Sequence, residues 1–256
     1  MPRVLVIVPF PMSEENRLGR ASQLQAVKLG PDITFDFRPV RAAPANYTSE
    51  HDAAIADLSI VDAGKNAQSE GYDAVCIDTM SDSGVAALRS MIDIPVIGPG
   101  RAAMMTALML GDRFSLLIMW DRWRHLYKKT INELGLHNRC ASVRSIGITP
   151  NNQSLLAGKE DAVFPLLLEA ARKCIEDDGA DVILLGSTTM HQAHAYLAER
   201  LPVPVINPGP LTYKLAETAI ALKLCHSRRA FPRPLAAKND LIDAMFAAAA
   251  KFPHTS

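Results

Sequence analysis

The chain carries no net charge, no paired cysteines, no apolar run of membrane-spanning length and no linker rich in Pro, Gly or Ser. Each absence excludes something. Lys plus Arg and Asp plus Glu number 27 each, so no net field draws the protein to nucleic acid or to an acidic membrane. The doublet Arg228-Arg229 is too short to change that and reads as solvated surface. The four cysteines, Cys76, Cys140, Cys174 and Cys225, show no CxxC or similar spacing. Neither a zinc site nor a disulfide framework is therefore suggested, and a reducing cytoplasm is the simplest setting. The opening MPRVLVIVPF has one basic residue and a short β-branched run ended by proline. It is too brief for a secretory segment and suits a buried first strand. No motif calls for a metal or an organic cofactor.

What is present is an ordinary globular balance, 48% hydrophobic and 21% charged residues in 256, enough for two lobes of roughly 100 to 150 residues. Short apolar, β-branched runs fall at 4–8, 33–37, 74–78, 95–98, 115–119, 142–148, 182–186 and 204–207. Helical patterns fall between them at 50–69, 84–91, 101–110, 122–134, 161–176 and 210–222. Strands that are apolar throughout and alternate with helices predict parallel sheets covered on both faces.

The chain also repeats itself. GYDAVCIDTMSDSG at 71–84 is echoed by GADVILLGSTTMHQ at 179–192, and IPVIGPG from Ile94 by VPVINPG from Val203. The offset is 108 residues from Gly71 to Gly179 and from Thr79 to Ser187, and 109 from Pro95 to Pro204. A period of that length predicts a duplicated α/β lobe. The expected fold is two pseudo-symmetric Rossmann-like lobes, 1–100 with 208–256 and 101–207, each a parallel sheet flanked by helices. Thr79 and Ser187 fall just past the carboxyl ends of matching strands, where ligands collect in open parallel sheets, so the expected active site is a cleft between the lobes. From about Arg228 the composition changes: Pro232 and Pro234 break the pattern, and an alanine-rich helix from about Asn239 is expected to dock on the body or on another subunit.

Four stretches, GYDAVCIDTMSDSGVAALRSMIDIPVIGPGRAAM, LGLHNRCASVRSIGI, EDDGADVILLGSTTM and VPVINPGPLTYKLAE, resemble in order and spacing the aspartate/glutamate/hydantoin racemase superfamily. The likeness runs from about residue 3 to 224 and is greatest to the hydantoin and allantoin racemase branch. It implies a cofactor-independent enzyme in which each lobe presents one cysteine at its strand tip. One thiol removes the α-proton, the other returns a proton to the opposite face, and flanking amides hold the developing oxyanion. In this chain those positions are Thr79 and Ser187. A thiol titrates near pH 8.5, whereas an aliphatic hydroxyl stays protonated and needs a neighbouring base. The pair therefore argues for variant chemistry, hydrolase or lyase rather than racemase, on a small carboxylate or a hydantoin-like ring such as a thiohydantoin. Two alternatives stay open: a racemase or isomerase using Asp and His in place of the thiols, and a non-catalytic small-molecule binding protein. A homo-oligomer is expected.

Candidate catalytic residues are Thr79, Ser187, Asp78, Asp82 and His191. Asp78 ends an apolar strand, where a carboxylate must be paired or raised in pKa. Asp82 matches an acidic position of the family, and is also placed to cap a helix beginning near Ser83. His191 is expected on the first turn of a helix after the second tip; His194, one turn on, is expected to face solvent. Candidate binding residues are Pro9, Phe10, Tyr47, Met80, Ser81, Arg101, Thr188, Thr189 and Pro208. Val8-Pro9-Phe10 stands where the resemblance implies Asn-Pro-Asn, Arg101 where it implies an acid, and Asn46-Tyr47 in a loop that closes on ligand. Cys76, three residues before Thr79, reads as a small apolar residue of a buried strand.

Overall fold

The computed structural model describes residues 1–150 and 163–252. The chain forms two compact units, 1–98 with 212–256 and 99–211. The first holds strands β1 (Arg3–Val8), β2 (Thr34–Pro39), β3 (Ala74–Ile77) and β4 (Val96–Ile97) in the order β2-β1-β3-β4. The second holds β5 (Phe114–Ile118), β6 (Cys140–Ser145), β7 (Val182–Leu185) and β8 (Val205–Ile206) in the order β6-β5-β7-β8. Every pairing is parallel, and the two sheets have the same permutation.

Side chains alternate between the faces of a strand. In β1, Leu5 and Ile7 enter a cluster with Ile60, Val75, Ile77 and Leu88, while Val4, Val6 and Val8 join Phe37, Cys76 and Tyr213. Both faces are covered, which is why the strand reads as unbroken apolar sequence. In the second unit Leu117, Ile183 and Leu185 pack with Leu167, Ala171, Cys174 and Leu197.

The covering helices are α1 (Glu14–Ala21), α2 (Glu50–Gly64), α3 (Val85–Met91), α4 (Pro99–Leu110), α5 (Arg124–Leu134), α6 (Phe164–Glu176), α7 (Ala193–Ala198), α8 (Pro208–Ala221) and α9 (Asn239–Ala249). The helix expected at 161–176 begins at Phe164; 161 and 162 lie outside the described residues. The helix expected to reach 69 stops at Gly64, where a β-carbon would lie 2.8 Å from Ile7 Cδ1. The sequence pattern missed α1 because Leu18 is its one large apolar residue and is exposed; Ser13 caps it through the Asn16 amide.

The repeat extends to individual hydrogen bonds. The Asp73 amide donates to the Arg3 carbonyl and the Asp181 amide to that of Arg113, both at 2.8 Å. The Arg3 and Arg113 amides return a bond to the same two aspartates at 2.8 and 2.9 Å. Gly71 and Gly179 both turn with φ near +75°, at +81° and +71°, a left-handed backbone that glycine adopts freely.

The C-terminal segment docks within its own unit. Phe246 of α9 is buried, Ile242 packs against the first core, and Asp243 pairs with Lys65 at 2.9 Å. Arg228 corrects the solvated reading. Its guanidinium binds Asp93 and the carbonyls of Arg89 and Ile92, because the end of α3 leaves those carbonyls without helical partners.

Candidate active site

Each unit presents one strand-to-turn tip, and the two are built alike. At the first, the Asp78 amide donates to the Ile7 carbonyl at 2.9 Å and the Asp82 amide closes a turn onto Thr79 O at 3.2 Å. At the second, the Gly186 amide donates to Leu117 O at 2.8 Å and the Met190 amide to Ser187 O at 3.1 Å. Each turn carries a hydroxyl pair two residues apart. Thr79 Oγ1 lies 3.2 Å from Ser81 Oγ, which continues to Ser83 Oγ at 2.8 Å; Ser187 Oγ lies 2.7 Å from Thr189 Oγ1. Ser187 Oγ also accepts from the Thr189 amide. Thr79 and Ser187 are half-buried, as are Asp82, Thr189 and His191, while Met80, Ser81 and Thr188 are buried.

Asp78 is paired. Its carboxylate, fully buried, binds the Arg20 guanidinium, with Nε to Oδ2 at 2.9 Å, and receives Gln23 Nε2 at 3.4 Å. The other end of the 108-residue offset is Gly186, whose carbonyl accepts the phenol of buried Tyr127; a β-carbon there would lie 2.8 Å from Leu117 O. So one lobe fills this position with an ion pair and the other with bare backbone.

Asp82 holds a left-handed backbone, φ +53°, sparsely populated for a residue with a side chain. It does not cap α3. The N-cap is Gly84, φ +70°, and its amide donates to Asp57 Oδ1 of α2 at 2.8 Å. The helix starts at Val85, which puts Asp82 two residues ahead of the N-cap position.

Pro9, Phe10 and Tyr47 come together. The Tyr47 phenol donates to the Pro9 carbonyl at 2.9 Å and its ring sits 5.3 Å from that of Phe10; burial pushes its pKa up. In the second unit, His191 follows a 3-10 turn over Thr188–Met190 and precedes α7, so it stands between elements and not on a helix. Its carbonyl accepts from Asn207 Nδ2 at 3.2 Å. His194 is half-buried, its Nε2 3.0 Å from Val205 O, because α7 packs on β8. Arg101 is exposed in the first turn of α4, and buried Pro208 opens α8.

Neither tip holds a thiol. Cys76 is enclosed in β3, its pKa pushed up by burial and by Asp78. Among the described residues no group of three His, Cys, Asp or Glu is placed to hold a metal, and no helix is long and apolar enough to cross a membrane. Arg20, Gln23, Asp57, Tyr213 and Asn207 escaped sequence reasoning. Arg20 comes from the polar helix α1 and Gln23 from the 3-10 turn after it, with no periodicity to mark either, and Asp57 is one acid among several on α2.

The profile of the Asp/Glu/hydantoin racemase family matches residues 20–216. The chain belongs to this family. It is 30% identical over 223 residues to the hydantoin racemase of Paenarthrobacter aurescens, covering 86% of this chain and 92% of that one. Among solved structures, the family fold is shared with an allantoin racemase from Klebsiella pneumoniae, at TM-score 0.83 and 26% identity over 93% of this chain and 95% of that one. Arylmalonate decarboxylase shares the fold alone, at TM-score 0.60 and 22% identity over 86% of this chain and 92% of that one.

Proposed function

We propose that this racemase-family member is a cofactor-independent enzyme acting on a small carboxylate or cyclic ureide ring by hydrolase or lyase chemistry. The observation that carries the reading is the pair of hydroxyl turns, Thr79–Ser81 and Ser187–Thr189, standing at both strand ends. Two of the chain's relatives are a hydantoin racemase and an allantoin racemase, which supports a ring with carbonyl oxygens and ring N–H groups.

In this reading Thr79 and Ser187, with the amides of Met80, Ser81, Thr188 and Thr189, bind and polarise carbonyl-type oxygens or sulfur. Pro9, Phe10 and Tyr47 face the ring, and Arg101 and Pro208 complete the binding set. Asp82 and His191 carry protons; Asp78, already committed to Arg20, holds the first tip in place. For hydrolytic loss of a ring substituent, a water oxygen bonds to the ring carbon as its proton passes to Asp82 or His191. The bond to the substituent then breaks, and the departing group leaves with a proton. Hydroxyls suffice for such a step, since none has to act as the base.

The test is a panel of hydantoins, thiohydantoins, ureido acids and substituted malonates incubated with purified protein in heavy water. The expected result is loss of a ring substituent or of carbon dioxide, without deuterium exchange at C5 of a recovered hydantoin. Asp82→Asn and His191→Ala are expected to lower turnover by about 10²- to 10⁴-fold. Exchange with inversion would replace this reading by a racemase. Tight binding with no turnover, indifferent to both substitutions, would make it a binding protein.

A further inference from the structure

Asp82 is half-buried, with its main chain pinned on both sides: its amide donates to Thr79 O and its carbonyl accepts from the Val85 amide, each at 3.2 Å. With φ at +53°, the backbone fixes where the side chain leaves the turn. The carboxylate lies directly over Gly98, the residue ahead of the Pro-Gly start of α4. A β-carbon at Gly98 would fall 2.6 Å from Asp82 Cγ, closer still to Oδ1, and 2.9 Å from Val85 Cγ2. These separations lie well inside van der Waals contact.

The second unit treats the matching position in the opposite way. Asn207, 109 residues on, also precedes a Pro-Gly helix start. Its side chain is buried and donates to the His191 carbonyl. In the first unit, then, the residue ahead of the Pro-Gly pair lies against Asp82, next after Ser81, and in the second it bonds the main chain of His191, two residues after Thr189. One contact works through an absent side chain and the other through an amide.

We infer that Gly98 is a positioning residue for Asp82: its lack of a side chain lets the carboxylate lie flat beside the first hydroxyl turn. This rests on the reading of Asp82 as a proton carrier, but its geometry and its test do not need a substrate. Gly98→Ala forces the carboxylate to swing away, because the main chain on either side is tied down.

The experiment follows Asp82 by carbon-13 NMR of aspartate-labelled full-length protein, its signal assigned with Asp82→Asn. In Gly98→Ala its titration midpoint moves by about half a pH unit or more, while that of Asp52 stays put. An unmoved midpoint overturns the inference. Thermal unfolding supplies the second readout. Gly98→Ala lowers Tm in the wild-type background but not beside Asp82→Gly, which suits the positive φ and empties the space. Equal loss in both backgrounds assigns the clash to Val85 and overturns it. If Gly98→Ala alone does not fold, folding of the Gly98→Ala/Asp82→Gly double variant upholds it, and failure of both overturns it. With a turned-over substrate, kcat falls, KM is kept, and the acid limb of kcat moves with the NMR midpoint; a fixed limb overturns it. An inactive panel would sink the proposed function and leave the titration standing.

Discussion

Arg20 and Asp78, 58 residues apart in sequence, form an ion pair in which neither side chain is more than 4% exposed. The pair anchors α1 to the end of β3, directly beneath Thr79. Removing one partner takes this pairing from the other buried charge, at a cost of about 3–5 kcal/mol. Arg20→Met is therefore expected to lower the urea midpoint by that equivalent. Arg20→Met with Asp78→Leu should recover most of the loss, since a well-packed apolar pair is often as stable as a buried ionic one. A single variant as stable as wild type would refute the anchor.

Tyr213 supplies a contrasting case. It is buried among Phe35 and Phe37, with ring centroids at 5.4 and 6.0 Å, and its hydroxyl has no hydrogen-bond partner among the described residues. Burial raises its pKa well above the ordinary phenol value. A buried hydroxyl without a partner costs desolvation and returns nothing. Tyr213→Phe is expected to match or exceed wild-type stability in chemical denaturation. Destabilisation by more than about 1 kcal/mol would mean that the hydroxyl is satisfied by bound water.

Asp52 governs part of the acid response. Burial opposes its charge, but the Thr48 amide and hydroxyl, both at 2.8 Å, together with Ser49 and His51 outweigh this and hold its pKa at about 2. A carboxylate depressed from about 3.9 in the unfolded chain contributes stability above that pH and loses it as pH falls toward the folded value. Asp52→Asn is expected to flatten the fall in stability between about pH 4 and pH 2, read as the urea midpoint at each pH. An unchanged acid slope would show that Asp52 is not depressed.

Much of this protein is legible in one dimension. Unbroken apolar strands such as VLVIV announce sheets covered on both faces, and the repeat from Gly71 to Gly179 announces two like units, because buried parallel strands and their turns impose residue types locally. The positions of Thr79 and Ser187 at strand ends follow from the same periodicity. What only the tertiary structure decided are the partners of polar groups. Nothing in the neighbourhood of Asp78 points to Arg20, and the capping role expected of Asp82 is not filled because Gly84, whose amide goes to Asp57, takes the N-cap position. His194 reads as a surface residue until β8 provides a carbonyl 3.0 Å away. Burial is a property of periodicity that short windows encode; a hydrogen bond is a meeting of two atoms, and chain folding alone determines which ones meet.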